Sequence, residues 1–267
     1  MSDYNEFILE QADCMDVIDD FNIYVYQEGF MRAVGNLLLA IPVLILGLFK
    51  GIIRKCINFM KGIKHSLDAK KHIVGDENGE VQVTLPGNMD PKNISTEVSN
   101  MKREVHSLFT NYTKALILTE TIMGQCIDGD MDEYTDKAID EIKEIEENIK
   151  KFLNPEDKDY FALLKSDHTT FTVEKVPVNT AQEIYTALEK FYNILEDSMK
   201  DLTKSYKSLE KEYNKIKKKE AKYDQANMAK LNDAYKSTGK IIADSQKMLN
   251  NGMTNITKVC DGLYKKS

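Results

Sequence analysis

The sequence predicts a mainly α-helical protein: an elongated helical bundle with a long, antiparallel, coiled-coil-like C-terminal hairpin and a small two-stranded β-ribbon. Three observations favour this fold class. The 267 residues include five Pro, thirteen Gly and no Trp, and this scarcity of helix breakers is typical of long helices. Apolar residues recur at three- and four-residue spacing along most of the chain, which indicates amphipathic helices. Two short stretches that alternate or are β-branched interrupt that pattern and predict strands.

The first 71 residues combine an acidic helix, an apolar segment and a basic helix. Residues 1–31 contain eight carboxylates and no Lys or Arg, and they predict an acidic amphipathic helix over residues 3–28. The uncharged run 33–49 follows, and residues 50–67 predict a basic amphipathic helix. No acidic residue interrupts the uncharged run or the basic helix. This order of elements indicates a segment that contacts a membrane or packs against a partner.

The rest of the chain predicts two linkers and two pairs of helices. In order, these are a linker with a short strand (72–94), a helical hairpin (95–154), a second linker with a short strand (155–179) and a long helical hairpin (180–267). Val81, Val83 and Leu85 alternate with polar residues, which predicts the first strand, and the β-branched run 169–176 predicts the second. We expect the two strands to pair as a ribbon.

Two narrow apolar stripes of matching length predict the C-terminal hairpin. One stripe runs from Ile184 to Ile216 and the other from Met228 to Leu263, and their phase slips by one residue in between. A turn near residues 223–225 explains the slip, and so does a stutter in one very long helix. The hairpin is favoured because each stripe needs a partner that buries its seam.

Motif content and charge favour a non-enzymatic protein. The four histidines, His65, His72, His106 and His168, lie in unrelated segments, without a carboxylate or nucleophile at a recognised spacing. The chain has no phosphate-binding glycine loop, no HExxH and no GxSxG motif. We therefore expect no cofactor and no small-molecule substrate. The net charge of −7 also disfavours nucleic acid, whose phosphates need clustered Lys and Arg.

No acidic or cysteine pattern matches a metal site. A calcium loop starting at Asp128 would need Gly at the position of Glu133 and a bidentate Glu at the position of Ile139. The acidic stretch 136–147 lacks the His that a di-metal helix requires. Cys14, Cys56, Cys126 and Cys260 form no CxxC pair, which disfavours zinc. We expect reduced thiols, although an even count leaves disulfides open.

Residues 33–67 hold the candidate contact site. Seventeen helical residues span about 26 Å, slightly less than the roughly 30 Å hydrocarbon core of a bilayer. Residues 33–49 can pack inside the protein or against a partner, span a membrane, or be shielded first and inserted later. The candidate membrane- or partner-contact residues are Leu37, Leu38, Leu39, Ile41, Val43, Leu44, Ile45, Leu46, Leu48, Phe49, Ile52, Ile53 and Phe59, with the cations Lys50, Arg54, Lys55 and Lys61.

Three stretches in the first quarter of the chain resemble small helical proteins of tailed bacteriophages. They are residues 3–10 (DYNEFILE), 29–34 (GFMRAV) and 49–63 (FKGIIRKCINFMKGI). The resemblance lies in an acidic start followed by a basic Ile/Phe helix. It implies a structural, virion-associated role and carries no active-site residues. The apolar segment joined to helical hairpins is also similar to α-helical pore-forming toxins, which place that segment inside the helical body.

We expect a non-catalytic structural or interaction protein, a phage virion-associated helical protein that engages a membrane or an assembly through residues 33–67. The alternative is a membrane-inserting pore-forming or lysis protein. Expected partners are further copies of the chain or other structural proteins, through the helical seams, and a lipid membrane. The acidic N-terminus predicts no signal peptide. We expect a virion or membrane location, with the C-terminal body in a reducing, cytoplasm-like compartment.

Overall fold

The computed structural model describes residues 30–70, 78–87, 89–128, 133–153, 163, 170–216 and 225–263. Within these ranges, the side chains of residues 30–42, 44, 126–128, 133, 152, 216 and 225–228 are not described. The predicted acidic helix over residues 3–28 lies outside the described residues. So does the segment 217–224, which contains part of the turn predicted for the C-terminal hairpin.

The described residues form five α-helices, two β-strands and one short 3-10 helix at Pro91–Asn93. The elements are α1 (Phe30–Asp68), β1 (Glu80–Pro86), α2 (Ile94–Asp128), α3 (Glu133–Leu153), β2 (Phe171–Pro177), α4 (Val178–Ile216) and α5 (Gln225–Gly262). The prediction of a mainly α fold with a small two-stranded ribbon is confirmed.

The uncharged run and the basic helix form one continuous helix, α1, of 39 residues. Such a helix is about 58 Å long. It passes through Pro42, although a Pro inside a helix removes one backbone hydrogen bond. After its last residue, the Ala69 amide donates to the His65 carbonyl at 3.1 Å. The apolar and basic segments therefore belong to a single element with two faces.

Strands β1 and β2 pair antiparallel, from Glu80 opposite Pro177 to Pro86 opposite Phe171. Val81, Val83 and Leu85 are buried, because alternate side chains of a strand point to the same face. Gly79 precedes β1 with a φ of 70°, a conformation that glycine adopts without strain. Its carbonyl accepts from the Val178 amide at 3.1 Å, which ties the start of β1 to the start of α4.

The chain forms two compact units, each built from three stretches. The first comprises residues 1–52, 112–152 and 203–244, and the second comprises residues 53–111, 153–202 and 245–267. Helices α1, α2, α4 and α5 each contribute residues to both units. The end of α4 and the start of α5 share the first unit.

The core of the first unit joins all five helices. Its fully buried side chains include Phe49 of α1, Tyr112 of α2, Ile142 of α3 and Tyr235 of α5, and Leu209 of α4 is 1% exposed. The rings of Phe49 and Tyr112 meet edge to face with centroids 6.0 Å apart, a favoured aromatic geometry. The buried hydroxyls of Thr119 and Thr238 lie 2.9 Å apart, so each has a polar partner.

The second unit packs the end of α5 against the ribbon and the end of α1. Lys70 donates from Nζ to the carbonyls of Cys260 and of Asp261, the latter at 2.7 Å, which satisfies carbonyls at a helix C-terminus. Ser66 Oγ donates to the Asp261 carboxylate at 2.7 Å. Gly262 lies directly against Thr84 of β1. Phe59 and Phe191 also meet edge to face in this unit, with centroids 6.3 Å apart.

The stripes predicted along α4 and α5 are buried at their described positions, apart from the half-buried Tyr206. In α3, Tyr134 is 71% exposed, although it lies four residues before the buried Ala138. The buried surface of α5 is wider than a narrow apolar stripe and includes polar residues. These are Ser237, Thr238, Ser245, Gln246, Asn251 and Asn255. One of them, Asn255, donates a hydrogen bond to the Leu163 carbonyl at 2.9 Å.

Candidate interaction surface

The solvent-exposed side of α1 within the second unit is basic. Arg54, Ile57, Lys61 and Lys64 are exposed and follow one another at spacings of three and four residues, which places them on one side of a helix. We call Arg54, Lys61 and Lys64 the basic face. Ile57, which lies between two of these cations along the helix, is 37% exposed. The surface therefore combines three positive charges with one accessible apolar side chain, and the exposed Asp68, four residues after Lys64, places one negative charge at its end.

Several lysines elsewhere in the protein form ion pairs, but the three cations of the basic face do not pair with any described carboxylate. No ion pair joins Arg54, Lys61 or Lys64 to a carboxylate among the described residues. Elsewhere, Lys114 pairs with Glu141 at 3.0 Å and Lys230 with Asp136 at 2.5 Å. The cause lies in the sequence, since α1 contains no acidic residue before Asp68.

Other residues of α1, on turns next to and before the basic face, are packed into the core. Six of the predicted contact residues are there, each at most 8% exposed: Ile45, Leu46, Leu48, Phe49, Ile52 and Ile53. In this conformation these side chains contact the protein's own core, so they do not form an external surface. They would reach a membrane or a partner only if α1 left its packing.

The other predicted contact residues are divided between exposed, half-buried and undescribed positions. Val43, Lys50, Arg54 and Lys61 are exposed, and Lys55 and Phe59 are half-buried. Burial lowers the pKa of the Lys55 ammonium. The side chains of Leu37, Leu38, Leu39, Ile41 and Leu44 lie outside the described residues.

In the part of the chain that the structure describes, no helix contains a stretch that is long and apolar enough to cross a bilayer.

Groups that could perform catalysis or bind a metal are sparse among the described side chains. They contain no cluster of three or more His, Cys, Asp or Glu residues able to hold a metal ion. The exposed His106 contacts the buried Ser198 hydroxyl, with 3.0 Å between Nδ1 and Oγ. The two residues project from helices α2 and α4, and neither lines the groove described next. His72 and His168 lie outside the described residues.

A polar groove lies between the first turns of α2 and α4 in the second unit. Its volume is about 640 Å³, and its lining includes Ser95, Ser99, Gln182, Glu183 and Lys190. Hydroxyl, amide and charged groups line it together with apolar side-chain surface, so it can offer some hydrogen bonds to a polar molecule. No sequence motif pointed to it, because its two walls are more than 80 residues apart in the chain.

A buried carboxylate in the first unit also escaped the sequence prediction. Glu146 is 7% exposed, and its Oε1 lies 2.5 Å from Lys150 Nζ and 3.8 Å from Lys240 Nζ. Burial alone would raise the pKa of Glu146, but hydrogen bonds from Lys150 and Ser237 and the charge of Lys240 lower it overall. Burial raises the pKa of the nearby Asp244, although Lys150 and Lys240 oppose that shift. Only the spacing of Glu146 and Lys150 was visible in the sequence.

The thiols of the described cysteines are expected to be unreactive. Cys56 and Cys260 are both free and buried, and burial raises the pKa of each thiol to about 12. A thiol with such a pKa is protonated at neutral pH and is a poor nucleophile. The side chains of Cys14 and Cys126 lie outside the described residues.

Comparison of the chain with known protein families, curated proteins and solved structures gives no significant match.

Proposed function

We propose that this protein is a non-catalytic structural or interaction protein that engages a membrane or an assembly through residues 33–67 in α1. The observation that carries the proposal is the division of α1 into two sides. One side is packed in the core, and the other presents Arg54, Lys61 and Lys64 without a described ion-pair partner. A helix fixed on one side is a rigid platform for the charges on its other side.

The energetics of α1 support a negatively charged partner. Like charges three or four residues apart on a helix destabilise it by about 0.2–0.5 kcal/mol per pair, and Lys61 and Lys64 form such a pair. Most charged helix faces are simply solvated, but Lys200 of α4 has two carboxylates beside it, those of Glu196 and Asp197. A partner with negative charge would relieve the repulsion on α1.

We also propose that α4 and α5 pair as the antiparallel, coiled-coil-like hairpin of an elongated bundle. Residues 203–244, which join the end of α4 to the start of α5, share one compact unit. Leu202, Leu209 and Tyr213 of α4 and Leu231, Tyr235 and Ile242 of α5 are all buried. Long paired helices offer extended surfaces for contact with further copies or with other structural proteins. The phage resemblance adds a specific form of this proposal, in which the assembly is a virion.

Membrane insertion is the second candidate function. It is favoured by the apolar residues of α1, among which Ile45, Leu48 and Phe49 belong to the uncharged run 33–49. Insertion would require α1 to leave the core, since these side chains are buried. Each apolar side chain would exchange burial in the protein, worth roughly 1.5–3 kcal/mol, for burial in lipid.

Light scattering and vesicle sedimentation of the full-length protein test the proposed function. We expect self-association, sedimentation with vesicles, or both. The double substitution Arg54→Glu/Lys61→Glu should weaken the interaction, because it reverses two charges of the basic face. The matched control is Lys204→Glu/Lys211→Glu, which reverses two exposed lysines of α4 at the same spacing. A protein that stays monomeric and ignores vesicles would contradict the proposal. Release of a trapped dye would instead favour insertion.

A further inference from the structure

We infer that the basic face of α1 is a docking surface for an anionic lipid bilayer, bound peripherally while α1 stays packed in the second unit. The inference rests on the proposed function and names the partner of that same surface. Arg54, Lys61 and Lys64 would contact lipid headgroups that carry phosphate. Ile57 would contact the boundary between headgroups and acyl chains.

The geometry of the face suits a flat, charged surface. Arg54 and Lys64 are ten residues apart, so the face extends about 15 Å along the helix. The spacing keeps all three cations and Ile57 on one side, where a planar partner can reach them together. Lysine and arginine side chains are long enough to move their charges toward headgroups while their stems stay near the helix.

Ile57 favours a bilayer over nucleic acid. Its side chain is 37% exposed and lies within the cationic surface, where a phosphate backbone would offer it no apolar contact. Helices that bind in a membrane interface combine cations with apolar side chains in this way.

The packing of α1 favours peripheral docking over insertion. Ile53, Cys56, Ile63 and Leu67 are at most 8% exposed and point into the core of the second unit. Phe59, beside them, packs edge to face on Phe191. The helix that carries the cations is therefore anchored by its buried side chains. The cations can contact lipid headgroups while the second unit stays packed.

Electrostatics sets the expected strength and salt dependence. A basic residue close to an anionic membrane surface strengthens binding about five-fold, so two lysines account for about a twenty-five-fold effect. The attraction falls off within a Debye length, which is about 3 Å at 1 M salt. Binding should therefore be reversible, should require anionic lipid and should be lost at high salt.

Flotation of the full-length protein with vesicles tests the inference. The vesicles are phosphatidylcholine alone, or phosphatidylcholine mixed with phosphatidylglycerol. We expect flotation only with the mixed vesicles, and release at about 1 M salt. Lys61→Gln/Lys64→Gln should weaken binding about twenty-five-fold. Lys204→Gln/Lys207→Gln, which removes two exposed lysines of α4 at the same spacing, should bind like the wild type.

A fluorescent reporter gives a second readout of the same surface. The chain contains no Trp, so Ile57→Trp introduces a single indole at a partly exposed position. Its emission should shift to the blue when mixed vesicles are added, because the ring enters a less polar environment. Unchanged emission in a vesicle-bound protein would overturn the inference, since another surface would then be making the contact.

The outcomes separate the lipid inference from the broader function. Equal binding to neutral and mixed vesicles, or equal losses in the two lysine variants, would overturn the lipid inference. Poly-glutamate serves as a second probe, an anionic polymer without lipid. Self-association, or binding of poly-glutamate, without any flotation would also overturn the lipid inference but would leave the broader proposal of an interaction protein in place. Failure of self-association, poly-glutamate binding and flotation together would overturn both.

Discussion

Gly262 lies at the closest approach between α5 and strand β1. A Cβ added there would overlap the side chain of Thr84 and lie 3.0 Å from its Cα. The backbone of the ribbon would have to shift, because the obstacle includes the strand itself. The absence of a side chain at Gly262 therefore allows α5 to pack closely against β1. It is not required by an unusual backbone conformation.

We predict that Gly262→Ala destabilises the protein by about 1–3 kcal/mol, the usual cost of forcing extra volume into a packed site. Gly62→Ala is the matched control, because Gly62 lies in helix α1 with nothing within 4 Å of an added Cβ. Alanine should stabilise that helix by about 0.5–1 kcal/mol. Urea unfolding of both variants measures the difference. Equal stability of the two variants would show that α5 does not approach β1 this closely.

Glu146 gives a residue-scale prediction that depends on pH. Its pKa is lowered in the folded protein, so it contributes stability above its ordinary pKa that is lost as the pH falls through the folded value. Glu146→Gln should therefore cost roughly 1–3 kcal/mol at neutral pH. The difference from wild type should shrink as the pH falls below 4.5, the ordinary value. Urea unfolding across this pH range provides the measurement.

Asp244→Asn is the matched control for Glu146, since it makes the same acid-to-amide change beside the same lysines. Burial raises the pKa of Asp244, so its charged form is disfavoured in the folded protein. Removing that charge should leave stability unchanged or slightly increased at neutral pH. A loss of stability in Asp244→Asn as large as that in Glu146→Gln would contradict the prediction that the ionised Glu146 carboxylate stabilises the folded protein.

At the scale of the elements, the regular spacing of apolar residues along the chain predicted helices and strands. Two helices were predicted within residues 180–267, and helices are observed there at Val178–Ile216 and Gln225–Gly262. The alternation of Val81, Val83 and Leu85 correctly predicted β1 and its pairing. These signals are local because the side chains of a helix or strand repeat along the chain.

Features that depend on contacts between distant segments could not be predicted in this way. Apolar periodicity does not register Ser237, Gln246 or Asn255, which are buried in α5 because other elements surround that helix. Likewise, Lys240 reaches Glu146 from a helix that lies almost a hundred residues later. For α1, an apolar stripe looks the same whether it faces lipid or a core, so the sequence left that choice open.

At the scale of the whole molecule, charge is distributed unevenly along the chain. Of the 43 Asp and Glu residues, eight lie in residues 1–31, which contain none of the 36 Lys and Arg. The remaining residues are therefore close to neutral, with 36 positive and 35 negative side chains. An anionic surface would thus be repelled mainly by the first 31 residues and attracted locally by α1. Such a balance makes binding sensitive to ionic strength.

Lysine footprinting tests the central claim that the basic face of α1 is the contact surface. Acetylation rates of individual lysines are compared by mass spectrometry with and without phosphatidylcholine/phosphatidylglycerol vesicles. Loss of solvent access in the vesicle-bound protein should slow the acetylation of Lys61 and Lys64. The rates at Lys204 and Lys207 should not change. Unprotected Lys61 and Lys64 on vesicle-bound protein, or equal protection of all four lysines, would contradict the claim.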